Sequence, residues 1–271
     1  MIGAPSLTAN AALRSGAGLV TIACPESIQL AAATLCPCAT SIPLPENAQS
    51  MIAPTGARKE FDRLGLFKKA NAPSVVAAGP GLGTGGAAFN KTWCELIQTF
   101  SDRADIPIVL DADALNAMAP LVSRGKRPTK SAVPHRTVIT PHPGEMARLH
   151  NVATADVQRN RERIAVDTAR RLSETAQVTV VLKGAGTIVT DGRRLFINKT
   201  GNAGMATGGT GDVLTGIIAA LIGQGLSDFD AAALGVHVHG HAGDLAARIL
   251  GQTSLTATDL LAYLPRAFQA L

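Results

Sequence analysis

Residues 201–225 read GNAGMATGGTGDVLTGIIAALIGQG, and the order of residue types in this run decides the fold. A glycine-rich loop ends at one carboxylate, Asp212. It passes into a segment whose apolar residues Val213, Leu214, Ile217, Ile218, Leu221 and Ile222 span a wide arc of a helix. A helix apolar over such an arc is buried, so its N-terminus faces inward. The first-turn amides of a helix lack intrahelical partners, and glycines let a ligand approach the backbone. Gly208, Gly209, Thr210 and Gly211 therefore form an anion site. Asp212 beside that site has two readings. It offsets the helix dipole as a capping carboxylate, or it is the base for a group that attacks a bound phosphate. Amides for a phosphate with a carboxylate next to them favour the second.

Working outward, strands and helices alternate. Short β-branched or apolar runs occur at 19–24, 74–78, 106–110, 137–140 and 178–182, several of them apolar on both faces as buried parallel strands are. Helical patterns lie at 5–14, 86–100, 144–149 and 155–174. Two strands at 187–190 and 194–198 flank Asp191-Gly192, a hairpin turn signal, and helices follow near 212–224, 228–247 and 257–270. The reading is α/β: a mostly parallel sheet with helices on both faces and a hairpin near one edge. No linker or repeat interrupts 1–271, so a single domain is expected, with the polar 123–134 stretch as a surface loop.

Sites in such folds gather at the carboxyl ends of the strands. Four motifs obey this: Gly79-Pro-Gly-Leu-Gly83, Asp111-Ala-Asp-Ala-Leu-Asn116, Pro141-His-Pro-Gly-Glu145 and Lys183-Gly-Ala-Gly-Thr187. The Gly79 loop lets a ligand pass close to the backbone or is an ordinary turn. Asp111 and Asp113 alternate in direction if the strand continues, so only one faces the site; one of them either caps the following helix or orients metal or substrate. His142, fixed between two prolines, reads as a substrate contact. Glu145 reads as compensation for a helix dipole or as a water-mediated magnesium ligand. Lys183 beside a glycine turn suits a point charge on phosphate. His237, His239 and His241 step about 200° apart on a helix, so they do not form a shared metal face. Asp244 and Arg248 read as a helix ion pair.

Composition narrows the partners. Aromatics at 3% give no stacking surface for single-stranded nucleic acid. The formal charge of +5 suits an anionic small molecule, and the basic residues are spread out. Cys24, Cys36, Cys38 and Cys94 match no zinc or redox spacing. With no transmembrane stretch and no signal-peptide pattern, a cytoplasmic protein without membrane contact is expected.

VLDADALN (109–116), TPHPGEM (140–146), LKGAGT (182–187) and GMATGGTGDVLTG (204–216) together resemble the ADP/ATP-dependent NAD(P)H-hydrate dehydratases. AALRSGAGLV (11–20) resembles their N-terminal helix and following strand. The match runs through nearly the whole chain in order. It implies a three-layer α/β/α ribokinase-like fold and repair of hydrated NADH or NADPH with ADP or ATP as co-substrate. It further implies magnesium and a homotetramer. Carried across by residue, Lys183, Gly184, Ala185, Gly186, Thr187 and Gly211 contact the adenine nucleotide. Ala4, Gly83, His142 and Asp212 contact the hydrated dinucleotide. No residue is assigned as a metal ligand.

One departure bears on the start of the chain. The family has a strand and a Gly-Gly-Ser-type turn before the Gly-Ala that opens the first helix, whereas Gly3-Ala4 comes almost at once here. The expectation is an unpaired gap in the sheet, with residues 1–7 poorly fixed. Two rival functions share the Asp212 loop: a vitamin-precursor kinase of the same fold, and a catalytically silent nucleotide-binding protein.

Overall fold

The computed structural model describes residues 2–122 and 133–271, so most of the expected 123–134 loop lies outside the described residues. In chain order the first half runs α1 (Gly3–Arg14), β1 (Thr21–Pro25), α2 (Gln29–Leu35), β2 (Thr40–Leu44), α3 (Pro54–Arg63), β3 (Val76–Ala78), α4 (Ala87–Ala104), β4 (Ile108–Leu110) and α5 (Ala112–Val122). There follow β5 (Arg136–Ile139), α6 (Pro143–His150), α7 (Thr154–Arg159), α8 (Arg161–Leu172), β6 (Gln177–Leu182), β7 (Ile188–Thr190) and β8 (Leu195–Ile197). Then come α9 (Thr210–Gly223), α10 (Asp228–Leu250) and α11 (Ala257–Gln269).

Six strands form one sheet in the order β3-β4-β5-β6-β7-β8. β3 to β6 are parallel, and β7 and β8 add an antiparallel hairpin, as Asp191-Gly192 predicts. Strand periodicity sorts the core into two layers. Ile108, Leu110, Ile139, Val178, Val180 and Leu182 face one layer with Trp93, Leu115, Met146 and Leu172 of the helices α4, α5, α6 and α8. Val109, Val138, Val181 and Val189 face the other, with Ile217 and Ile218 of α9 and Leu260 and Leu264 of α11. The sheet is sandwiched, and the carboxyl ends of β3 to β6 open side by side.

Three expectations need correction. The 155–174 helix is two helices, because Asn160 leaves helical backbone (φ −133°, ψ 40°) and its side-chain amide donates to the Asp156 carbonyl. Asparagine competes with helix in this way. The β4 strand does not continue through Asp111 to Asp113: Ala112 takes φ +49°, and α5 starts there.

Residues 3–7 are not loosely held. They are the first turns of α1, which packs along α9 so closely that a Cβ on Gly216 would lie 2.1 Å from the Thr8 carbonyl oxygen. Leu7 sits against Gly209, and the Thr8 hydroxyl donates to the Asp212 carbonyl at 3.0 Å. These contacts come from α9, so they need no neighbouring strand. β1 and β2 do form a separate parallel pair, and among the described residues neither pairs with β3. Gly216→Ala should therefore push α1 off α9 and lower stability by about 1–3 kcal/mol, the usual scale of overpacking, read by denaturant unfolding.

Candidate active site

The four expected loops meet at one end of the sheet. Gly79, at the end of β3, has φ +122°, and a Cβ there would lie 1.7 Å from the Asp111 carbonyl oxygen, so only glycine allows this seating. Asp113, in the first turn of α5, accepts a hydrogen bond from the Gly83 amide at 2.9 Å. The positive φ of Ala112 sends both Asp111 and Asp113 toward the site instead of one to each face.

Asp111 is 1% exposed and holds two partners. Its Oδ1 lies 2.6 Å from Lys183 Nζ at the end of β6, and its Oδ2 accepts from the Thr215 hydroxyl of α9 at 2.8 Å. A buried carboxylate needs such satisfaction. The Lys183 ammonium in turn stands beside the glycine loop: a Cβ on Gly211 would lie 3.1 Å from it. Lys183 therefore stands beside the glycine loop, paired with Asp111.

The loop itself turns on Gly209, at φ +90°, which is the N-cap of α9. Asp212 is third in the helix, half-buried, and among the described residues nothing donates a hydrogen bond to its carboxylate. Burial raises its pKa to about 6; Asp111 and then Asp113 add like-charge repulsion, and Lys183 partly opposes them. A capping side chain would show the opposite trend. A carboxylate with this pKa changes its protonation state about one unit below neutral pH.

His142 is the N-cap of α6. Its Nδ1 accepts from the Gly144 amide at 3.0 Å, while its own amide donates to Glu145 Oε2 at 2.8 Å, which closes a capping box. Glu145, 5% exposed, is thus the dipole-compensating residue of the two readings. Burial, with help from Lys183 and Arg148, holds the His142 imidazole below its ordinary pKa, so it is neutral with Nε2 as donor. Its side chain remains about half exposed at the cleft. In the Lys183 loop, Gly184, Ala185 and Gly186 are exposed, and the Thr187 hydroxyl closes the turn on the Gly184 carbonyl at 2.9 Å. Ala4 lies in the first turn of α1, which runs parallel to α9, so it is at the same end as the glycine loop.

Several supporting residues escaped the sequence reading. Thr215 carries no signal of its own within the apolar run of α9, yet it binds Asp111. His239 was weighed only as a metal ligand. Its Nε2 instead donates to the Thr210 carbonyl at 2.8 Å, and burial pushes its pKa to about 4, so it braces the glycine loop as a neutral donor. His237 and His241 stack on each other, away from that contact. Asp244 was expected to pair with Arg248. It accepts from the Gly201 amide at 2.8 Å and from the Asn202 side chain at 2.9 Å, because the loop offers donors held in place by fold. No spacing rule signals these contacts, which join residues tens of positions apart.

Among the described residues no group of three or more His, Cys, Asp or Glu is arranged to cage a metal, and no helix is long and apolar enough to cross a membrane. Asp113 and Asp212 at this end of the sheet offer carboxylate oxygens, the ligand type that magnesium takes.

Known proteins match this geometry and the sequence. A Bacillus subtilis ADP/ATP-dependent NAD(P)H-hydrate dehydratase co-crystallized with ATP/Mg2+ superposes with TM-score 0.76 at 29% identity, covering 100% of this chain and 85% of that one. A hydroxyethylthiazole kinase from Pyrococcus horikoshii shares the fold alone, with TM-score 0.58 at 17% identity, over 100% of this chain and 97% of that one. A bifunctional NAD(P)H-hydrate repair enzyme of Moorella thermoacetica is 43% identical over 273 residues, covering 100% of this chain and 48% of that protein. The corresponding Escherichia coli enzyme is 38% identical over 265 residues, 97% of this chain and 44% of its own length. The chain thus spans about half the length of the curated relatives it matches. The NAD(P)H-hydrate dehydratase family model matches residues 1–266. With its diagnostic loops in order along the chain and together at one end of the sheet, this chain belongs to the NAD(P)H-hydrate dehydratase family.

Proposed function

We propose that this chain dehydrates hydrated NADH or NADPH, with ADP or ATP as phosphoryl donor. The observation that carries the reading is Asp212: a half-buried carboxylate in the first turn of α9, next to the glycine amides and Lys183, with its pKa raised to about 6.

Hydrated NAD(P)H bears a hydroxyl on the ring carbon beside the ring nitrogen. Hydroxide leaves poorly and phosphate leaves well. Asp212 takes the hydroxyl proton as the oxygen attacks the terminal phosphorus of the nucleotide. The new O–P bond forms as the bond to the departing AMP or ADP breaks. The ring-nitrogen lone pair then expels phosphate, and loss of a proton from the next ring carbon restores the C=C bond. The amides of Gly208 to Gly211 and the Lys183 ammonium stabilise charge on the transferred group. His142, half exposed at the cleft with its Nε2 3.4 Å from Glu145 Oε1, is assigned in this reading to the dinucleotide. Magnesium, when bound, neutralises charge between the nucleotide phosphates. Asp113, like Asp212, stands outside any ion pair among the described residues and would be the further carboxylate open to that ion. The tetramer implied by resemblance belongs to this proposal, and light scattering decides it.

The test is the pH profile. A base must be deprotonated to act, so kcat should fall about tenfold per pH unit below an inflection near 6. An inflection near 4 would show a carboxylate in an ordinary environment and would remove the observation on which the reading rests.

A further inference from the structure

We infer that Arg161 is a positioning residue that shapes the Lys183–Thr187 loop for the nucleotide, an inference that rests on reading this loop as nucleotide-binding. Arg161 is the first residue of α8, and its guanidinium lies under the loop. One terminal nitrogen donates to the Leu182 carbonyl at 3.1 Å, the Lys183 carbonyl at 3.3 Å and, more weakly, the Gly186 carbonyl at 3.5 Å. The other donates to the Lys183 carbonyl and to Gln158 Oε1, each at 3.3 Å.

An arginine at this position is not there for the helix. A cation at a helix N-terminus faces the positive end of the dipole, and burial also disfavours its charge, lowering its pKa. The compensation comes from the three carbonyls. An arginine that only tied α8 to β6 would need the Leu182 carbonyl alone, whereas the Lys183 and Gly186 carbonyls belong to the loop.

Their orientation has a consequence. In a planar trans peptide the N–H of the next residue points opposite to the carbonyl. Drawing the Lys183 and Gly186 carbonyls toward Arg161 turns the Gly184 and Thr187 amides away from it. The Lys183 amide is engaged by the Pro141 carbonyl at 2.9 Å. Gly184 has φ +131°, and a Cβ there would lie 3.0 Å from an Arg161 nitrogen, so the loop is seated directly on the guanidinium. Arg161 and Gln158 also line an open groove with Ala185, Gly186 and Ile188, so a loop that shifted would change the groove wall.

The experiment compares Arg161→Ala and Arg161→Lys with the unmodified chain. It measures kcat, KM for ADP or ATP, KM for hydrated NADH, and melting temperature with and without nucleotide. Loss of charged hydrogen bonds should raise nucleotide KM in Arg161→Ala by about tenfold or more, with kcat at saturating nucleotide and KM for hydrated NADH changed by less than about threefold. Arg161→Lys keeps the charge without the planar fork, so its nucleotide KM should lie between the two. The nucleotide-induced rise in melting temperature should shrink in the same order. If Arg161→Ala does not fold, Arg161→Lys alone decides by its nucleotide KM. An unchanged nucleotide KM in a folded variant overturns the inference. So does a parallel change in all parameters that tracks melting temperature. If the unmodified chain needs no nucleotide for turnover, the functional reading itself fails, which is a different result.

Discussion

Asp212→Asn should lower turnover by roughly two to four powers of ten, the usual contribution of a general base, while nucleotide binding survives. The glycine amides and Lys183 are untouched by the change, so the anion site persists. The same variant should be more stable than the unmodified chain at pH 7. Burial and the charges of Asp111 and Asp113 raise the Asp212 pKa from 3.8 in the ordinary state to about 6 in the folded one. The folded protein therefore binds more protons than the unfolded chain between those values. Its stability is highest below the lower one and falls as pH rises toward the upper one. Asparagine carries no charge and escapes this loss, so its advantage should grow between about pH 4 and pH 6, be full above about pH 6 and vanish below about pH 4. A capping carboxylate would behave oppositely, with Asp212→Asn less stable and fully active. Steady-state kinetics and thermal melts across pH separate the two.

Lys183→Ala should destabilise the protein by about 3–5 kcal/mol, the scale for stripping one partner from a buried ion pair. Asp111 is 1% exposed and would keep only its Thr215 hydrogen bond after losing a 2.6 Å contact with the ammonium. Adding Asp111→Asn should recover much of that loss, because a neutral amide tolerates burial without a cation. Nucleotide affinity should stay low in the double variant, since the charge beside Gly211 is still missing. The unfolding and calorimetry of both variants read this. Equal weakening of nucleotide and hydrated dinucleotide in the folded double variant would count against Lys183 as a phosphate contact.

Much of the fold was legible because its signals are local. Val109 and Val138 alternate with Ile108, Leu110 and Ile139 across the two core layers, and that alternation is visible as short apolar runs. Asp191-Gly192 announces the β7–β8 hairpin, one of two antiparallel pairings in the six-stranded sheet among the described residues. β2 was missed, since Thr40–Leu44 has little apolar content and a proline within it. The start of α5 at Ala112 is not legible, because Ala112 bends at positive φ, a conformation that alanine does not advertise. Of the candidate site, the loops were readable from glycines and polar residues at strand ends. The bonds that organise them were not. Asp111 to Lys183, Asp111 to Thr215, His239 to Thr210 and Asp244 to Gly201 are long-range pairs, settled by packing. The order of α1 runs against the sequence expectation. The reason is that α1 owes its position to α9.

The central claim is that one carboxylate and one anion loop lead to phosphorylation followed by elimination, and product stoichiometry tests it most directly. Hydrated NADH is incubated with the chain and ADP, then with ATP, and reduced cofactor, inorganic phosphate and spent nucleotide are quantified together. The account predicts equal amounts of all three, with no turnover when nucleotide is omitted. A stable phosphoester without released phosphate would make the chain a kinase of this fold, and bound nucleotide without any product would make it a silent binding protein; either result contradicts the account.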